Sequence, residues 1–237
     1  MSSTRPIRER PPRVLDRRAW LRALARDKRV LDLGAADNRH VAGHQAEGLW
    51  LHADLAEVAE SCVGIDLDPE AVAALRAEGW DLRVGDVEAL DLDERFDLVV
   101  AGELIEHLPN PGLLLASAAR HLPPSGRLAI TTPNTFALHA RPGLLGPLAR
   151  TRGIHPEHVA WYCADTLRQL LTLQGWTVEE IGYCASPSTT RAKAAFRRAA
   201  YGLRPSWSET LFALARPPAG EASSAPPSSA ESPSAPG

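Results

Sequence analysis

The run Gly102-Glu103-Leu104-Ile105-Glu106-His107-Leu108-Pro109 concentrates more chemistry than any other part of the chain. Glu103, Glu106 and His107 stand at i, i+3 and i+4, a spacing that one helical turn presents on one side. A second polar cluster follows in His155-Pro156-Glu157-His158-Val159-Ala160-Trp161. Such groups serve two chemistries. A histidine takes a proton from an acceptor near neutral pH. Two Glu and two His can instead hold one divalent ion and leave positions for a substrate diol, whose hydroxyl pKa the ion would lower. The plainer alternative is a turn that His107 caps while a Glu lines a pocket.

A second set of residues lies upstream, at the ends of apolar runs. Val30-Leu31-Asp32-Leu33 reads as a buried strand that enters the small-residue loop Gly34-Ala35-Ala36-Asp37-Asn38. Gly34 lets the chain turn sharply and lets a ligand lie against its backbone. Cys62-Val63-Gly64-Ile65 is a second such strand and ends at Asp66. In nucleoside-binding α/β folds an acid there accepts hydrogen bonds from both ribose hydroxyls. Asp68 and Pro69 already provide the cap and first residue of the next helix, which leaves Asp66 for another role. Asp86 follows the third strand, where a carboxylate can accept from an adenine amino group; a common loop Asp is the alternative.

The elements that must position these groups alternate regularly. A helix is expected over 13–26, then strands at about 29–34, 62–66, 80–84, 96–101 and 127–131. Helices fall between them, one ending near Ser61, one from Pro69 to Gly79 and one over 111–121. This βαβ alternation with apolar strands predicts an α/β, doubly wound parallel sheet. Residues 133–157 are dense in Pro and Gly and read as a lid over the carboxyl edge. Thr131-Thr132-Pro133-Asn134 stands at that edge as a pocket wall or a stiffened turn, and Phe136, Trp161 and Tyr162 are candidates for an aromatic slot or for core. A helix over 164–174 and strands at 176–183 and 209–215 complete the fold. Residues 186–206 hold a basic helix and loop. Residues 1–11 form a basic arm, 12–216 the folded domain, and the Pro/Ser/Ala tail 217–237 is expected to be disordered.

The 237 residues, 44% of them hydrophobic, suffice for one domain with a full core. A net charge of −3 gives no global electrostatic case for nucleic acid or membrane. Cys62, Cys163 and Cys184 are few and widely spaced, against a disulfide framework or a zinc knuckle. The Arg- and Pro-rich start has no apolar core, and no apolar run reaches the ~18 residues of a membrane span, so a cytoplasmic protein is expected.

The strand ends together resemble the class I S-adenosylmethionine-dependent methyltransferases over about 29–183. The resemblance is carried by Val30-Leu31-Asp32-Leu33-Gly34, Val63-Gly64-Ile65-Asp66, Gly85-Asp86-Val87, Phe96-Asp97-Leu98-Val99-Val100 and Pro124-Ser125-Gly126-Arg127-Leu128. It implies a Rossmann-like, mostly parallel seven-stranded sheet with an antiparallel last strand. It also implies that Asp32, Gly34 and Ala36 flank the methionine end of the cofactor, Asp66 and Leu67 the ribose, and Asp86 and Val87 the adenine. The family's Gly-x-Gly-x-Gly becomes Gly34-Ala35-Ala36-Asp37-Asn38 here. A nicotinamide enzyme is disfavoured, since the phosphate-binding helix start lacks its glycines.

The Glu-x-x-Glu-His run resembles that of the small-RNA 3′-terminal 2′-O-methyltransferases and of quinone-biosynthesis O-methyltransferases. By that resemblance Glu103, Glu106 and His107 match metal ligands, with His158 the best fourth ligand and His155 the fallback. Magnesium or manganese is the implied ion, and iron or zinc fits mixed carboxylate–imidazole ligation as well. His107 and Glu106 are the catalytic candidates in either case. The expected activity is O-methylation of a small hydroxylated molecule. The rivals are metal-assisted methylation of an RNA 3′ end, favoured by two Arg clusters and opposed by the net charge, and a non-catalytic binding protein, whose support is the missing glycines at 36 and 38.

Overall fold

In the computed structural model, residues 14–36, 50–137, 157–185 and 191–219 are described. The arm before Val14, part of the Gly34–Asn38 loop, most of the lid with His155, and the tail after 219 lie outside the described residues.

Eight strands form one sheet in the order β1-β7-β8-β6-β5-β2-β3-β4. They are β1 (Val14–Asp16), β2 (Arg29–Leu33), β3 (Ser61–Asp66), β4 (Leu82–Val84), β5 (Leu98–Gly102), β6 (Arg127–Pro133), β7 (Thr177–Ala185) and β8 (Thr210–Arg216). β8 runs antiparallel to both β6 and β7, and every other pairing is parallel. The helices are α1 (Arg17–Ala25), α2 (Leu51–Ala56), α3 (Pro69–Ala77), α4 (Pro111–Arg120), α5 (Ala164–Leu173) and α6 (Arg191–Leu203).

The mostly parallel α/β sheet agrees with expectation, but it holds one strand more than the seven expected. The helix expected over 13–26 starts only at Arg17, and Val14–Asp16 pairs with Tyr183–Ala185 as an edge strand. Asp16 ends that strand and caps α1, its Oδ1 accepting from Ala19 N at 2.9 Å. Asp68 caps α3 as anticipated, with Pro69 beside it.

β2 and β5 are neighbours although two strands separate them in the chain, with Leu33 opposite Ala101. From β2 the chain winds outward through β3 and β4, and from β5 it winds the other way through β6. That reversal opens a crevice at the carboxyl ends of β2 and β5, where open α/β sheets bind ligands. The sheet that frames it is buried on both faces. Leu31, Leu33, Val99, Ala101, Leu128 and Ile130 pack in one cluster, and Val30, Leu98, Val100 and Ala129 pack against α1 and α2 in another.

Candidate functional site

The loop after β2 is held open by its own backbone. Gly34 has φ +74°, a left-handed conformation that glycine alone adopts without strain. A Cβ there would also stand 3.0 Å from Leu104 Cδ1. Gly34 N and Ala35 N both donate to Ile65 O, at 2.8 and 3.0 Å, and Trp50 Nε1 donates to Ala35 O at 2.8 Å. Ala36 N donates to Asp66 Oδ2 at 2.9 Å, and Asp68 N to Asp66 Oδ1 at 3.1 Å.

Asp66 is therefore buried at the end of β3 with one backbone donor on each oxygen. A carboxylate has about four acceptor positions, so both oxygens keep capacity for a ligand. Leu67, beside it, is 70% exposed, and Val84 at the end of β4 is also exposed. Apolar side chains left open at the carboxyl edge suit the flat ring of a nucleoside. Asp86 is exposed, its Oδ1 accepting from Glu88 N at 2.9 Å, while Val87 is buried.

Asp32 is placed differently from its neighbours. It is buried, and its Oδ2 lies 3.1 Å from Nδ1 of the buried His52 on α2. Nothing in the sequence pattern singles out His52, which meets Asp32 only because α2 packs across β2. Asp32, implied for the methionine end, thus has one oxygen paired with His52 inside the fold.

Past β5 the chain departs from the expected helical turn. Glu103 has φ +57°, and its N donates to Thr131 O at 2.8 Å, which keeps it on the sheet edge. The following turn is a 3-10 helix over Ile105–His107, so Glu103 lies outside it. Glu106 and His107 share the turn, while Glu103 is sent toward Arg17, whose Nε lies 3.8 Å from Glu103 Oε1. Arg17 Nε also donates to Thr131 Oγ1 at 2.9 Å.

His158 joins the turn instead. Glu106 O accepts from Val159 N at 2.9 Å and from Ala160 N at 3.1 Å, which fastens the distal segment over the 3-10 helix. The His107 and His158 rings meet edge to face with centroids 4.7 Å apart. One ligand atom each from Glu106, His107 and His158 lies within 4.8 Å of the others. Glu106 is 2% exposed. Its Oε2 accepts from Thr132 Oγ1 at 2.8 Å, and its Oε1 has no hydrogen-bond partner among the described residues. Tyr162 is buried close to Glu106, and Phe136, Val159 and Trp161 are exposed. Asn134 serves as a clamp: its Nδ2 donates to Ser206 O and Ser208 O, and its Oδ1 accepts from Phe136 N.

Burial pushes the Glu106 carboxyl up to about 8, with the nearby Glu103 charge adding to the effect. Burial also pushes Glu103 up, against the pull of Arg17. The sign follows from linkage. With Glu106 raised above its ordinary 4.5, the folded state holds the proton more tightly than the unfolded chain does. Its stabilising contribution is full below about pH 4.5 and is lost as pH rises through about 8. In chelator, thermal unfolding scans from pH 5 to 9 should therefore show stability falling by up to about 1.4 kcal/mol per pH unit. Glu106→Gln should flatten that fall and raise the melting temperature at pH 9. An unchanged profile in the variant would refute the assignment.

A family model described as a methyltransferase domain matches residues 5–181. The chain belongs to the class I S-adenosylmethionine-dependent methyltransferase family. Curated relatives include a ubiquinone biosynthesis O-methyltransferase of Xanthomonas oryzae pv. oryzae, 34% identical over 122 residues, or 46% of this chain and 46% of that one. Another, from Azoarcus sp., is 27% identical over 202 residues, 76% of this chain and 80% of the relative. The chain spans about half the length of the first curated relatives it matches. Among solved structures, an S-adenosylmethionine-dependent methyltransferase from Mesorhizobium loti superposes with a TM-score of 0.55 at 22% identity, over 84% of this chain and 96% of that one. A Burkholderia thailandensis 1,6-didemethyltoxoflavin-N1-methyltransferase, solved with its acceptor and S-adenosylhomocysteine, gives 0.53 at 21% identity, over 85% of this chain and 76% of that one. These likenesses establish the fold.

The residues present fit the family's cofactor. Gly34 cannot carry a side chain without meeting Leu104, Asp66 offers two partly used carboxylate oxygens, and Leu67 and Val84 lie open beside it. No described helix is long and apolar enough to cross a membrane.

Proposed function

We propose that the protein is an S-adenosylmethionine-dependent O-methyltransferase acting on a small hydroxylated molecule. One observation carries the reading. The Gly34–Asp66 cradle and the Glu106–His107–His158 cluster share the carboxyl edge of a single sheet, on either side of the β2/β5 crevice. S-adenosylmethionine, when bound, supplies a methyl group on a sulfonium, an electrophile that needs no acid to activate it.

The chain's own task is to hold the acceptor and to take its proton. Asp66 would accept from the ribose hydroxyls, with Gly34 and Ala36 giving backbone contact and Asp86 and Val87 bordering the adenine. His107 takes the acceptor's hydroxyl proton. The buried Glu106 carboxyl, steadied by Thr132, stands beside His107 and His158 in the same cluster. Phe136 and Trp161, both exposed, would suit an aromatic acceptor such as a phenol or catechol.

A second reading is favoured by the ligand spacing itself. Glu106, His107 and His158 form a donor set for a divalent ion, which would supply Lewis acidity toward a hydroxyl. That set belongs equally to metal-assisted 2′-O-methylation of an RNA 3′ end.

One assay separates these readings. Formation of S-adenosylhomocysteine is followed with catechol, 3,4-dihydroxybenzoate, a primary aromatic amine and a short RNA duplex as acceptors, each with and without chelator. Turnover of the phenols in chelator supports the main reading. Turnover confined to the RNA, and lost in chelator, replaces it with the second.

A further inference from the structure

We propose that His121 is a positioning residue for the adenine side of the cofactor cradle. Neutral, it pins the Asp86–Phe96 loop to the end of α4; protonated, it lets that loop go and weakens the hold on the base. The inference rests on the cofactor reading above.

The path of the loop is the first support. It leaves β4 at Gly85, whose N donates to Asp66 O at 2.9 Å, and Asp86 and Val87, expected to border the adenine, follow at once. From there the loop is laid along α4 and tied to both ends of it. Asn110 N, at the start of α4, donates to Glu88 Oε1 at 2.8 Å. At the far end Arg120 Nη2 donates to Leu90 O at 2.7 Å, and Leu92 N donates to His121 Nε2 at 2.7 Å. Phe96 N donates to His121 O at 2.8 Å. Between these ties Val87 and Leu90 are buried in one cluster with Leu114, Leu115 and Ala118 of α4. A close-packed segment of this kind passes a shift at Leu92 on to Val87 and Asp86.

The proton count of the ring is the second support. His121 is fully buried. Ser117 O can only accept, so Nδ1, 2.7 Å from it, carries the ring proton. Leu92 N–H can only donate, so Nε2 is bare. Both nitrogens are used and the ring is neutral. A proton taken from water would land on Nε2 and face the Leu92 N–H, donor against donor. Two buried donors would then lack an acceptor, a cost that opening the loop to water relieves.

The surroundings are the third. The charged groups that face the ring come from the two elements packed on it, Asp91, Glu94 and Arg95 from the loop and Arg120 from α4. Burial pushes the His121 imidazole below its ordinary 6.5, and Arg120 and Arg95 push the same way, while Ser117 O and Asp91 pull back. The closed loop holds the neutral ring and the opened loop takes the proton. Acid therefore favours the opened form, in a window below about pH 6.5.

Calorimetric titration of the full chain at pH 7.5 and pH 5.0 tests this with two ligands. One is S-adenosylhomocysteine, and the other is S-inosylhomocysteine, in which a carbonyl oxygen replaces the adenine amino group. At pH 7.5 the wild type should bind the adenosyl ligand at least about 10-fold more tightly. At pH 5.0 it should bind that ligand about 10-fold more weakly and lose most of the preference, since one coupled proton is worth at most about tenfold per pH unit. His121→Gln keeps an amide oxygen for Leu92 N and takes up no proton in this range. It should bind within about 3-fold of wild type at pH 7.5 and keep both affinity and preference at pH 5.0. His121→Phe keeps a ring but offers Leu92 N no acceptor, and should behave at both pH values as the wild type does in acid. Parallel pH profiles in the wild type and His121→Gln, an equal fall for both ligands, or a wild type without base preference at pH 7.5 each overturn the proposal and leave the cofactor reading intact. Failure of the wild type to bind either ligand overturns both.

Discussion

An Asp66→Ala variant should bind S-adenosylhomocysteine at least 100-fold more weakly than the wild type and should unfold several degrees earlier. Two losses combine. The first is internal. Ala36 N and Asp68 N both donate to Asp66, and in the variant those backbone groups lose their acceptor. A buried donor left unpaired costs about 1–3 kcal/mol. In a domain of this size each kcal/mol lowers the melting temperature by roughly 2–4 °C. The second loss is at the ligand. Hydrogen bonds to a charged group contribute about 1.5–3 kcal/mol each, and two ribose hydroxyls would share this carboxylate. Since about 1.4 kcal/mol is tenfold in affinity, a 100-fold loss is the lower end of the range. Asp66→Asn separates the two effects, because an amide oxygen still accepts from one backbone N–H. It should recover much of the stability and little of the affinity. Wild-type affinity in Asp66→Ala, measured by calorimetry, would remove Asp66 from the site.

The second large effect concerns His107. His107→Ala should lower kcat on a phenolic acceptor by about 10²- to 10⁴-fold, the usual contribution of a positioned general base. Affinity for S-adenosylhomocysteine should stay within a few-fold, because His107 belongs to the acceptor side and not to the Gly34–Asp66 cradle. Raising the pH should partly restore the variant's rate as more of the acceptor ionises in solution. Under the metal reading the same variant also loses activity, but chelator then abolishes wild-type turnover and added manganese restores it. A variant with unchanged kcat would show that neither role belongs to His107.

Much of this arrangement is legible along the chain because it depends on local pattern. Val30–Leu33, Cys62–Asp66 and Leu98–Val100 read as strands buried on both faces, and Asp68-Pro69 marks a helix start by capping chemistry alone. Gly34 and Asp66 are visible because each stands at the end of such a strand. What escapes the sequence depends on partners distant in the chain. Val14–Asp16 is a strand only because Tyr183–Ala185 lies beside it. His52 matters only because it meets Asp32, and Arg17 only because α1 delivers it to Thr131 and Glu103.

Glu103 is the instructive case. Its spacing from Glu106 and His107 suits a helix, and a helix would join all three. The bond from Glu103 N to Thr131 O holds it to the sheet instead, and the chain turns left-handed before the 3-10 turn begins. Spacing along the chain cannot reveal a hydrogen bond to Thr131, which lies in a distant strand. The result is a division of labour. Glu106, His107 and His158 gather in one cluster, and Glu103 stands near Arg17 instead.

Calorimetric titration of S-adenosylhomocysteine into the full-length protein tests the central claim most directly. A single site per chain with a dissociation constant in the micromolar range, about −8 kcal/mol, is the expected result. No binding at millimolar ligand would contradict it, and would leave the fold as that of a methyltransferase relative without the cofactor.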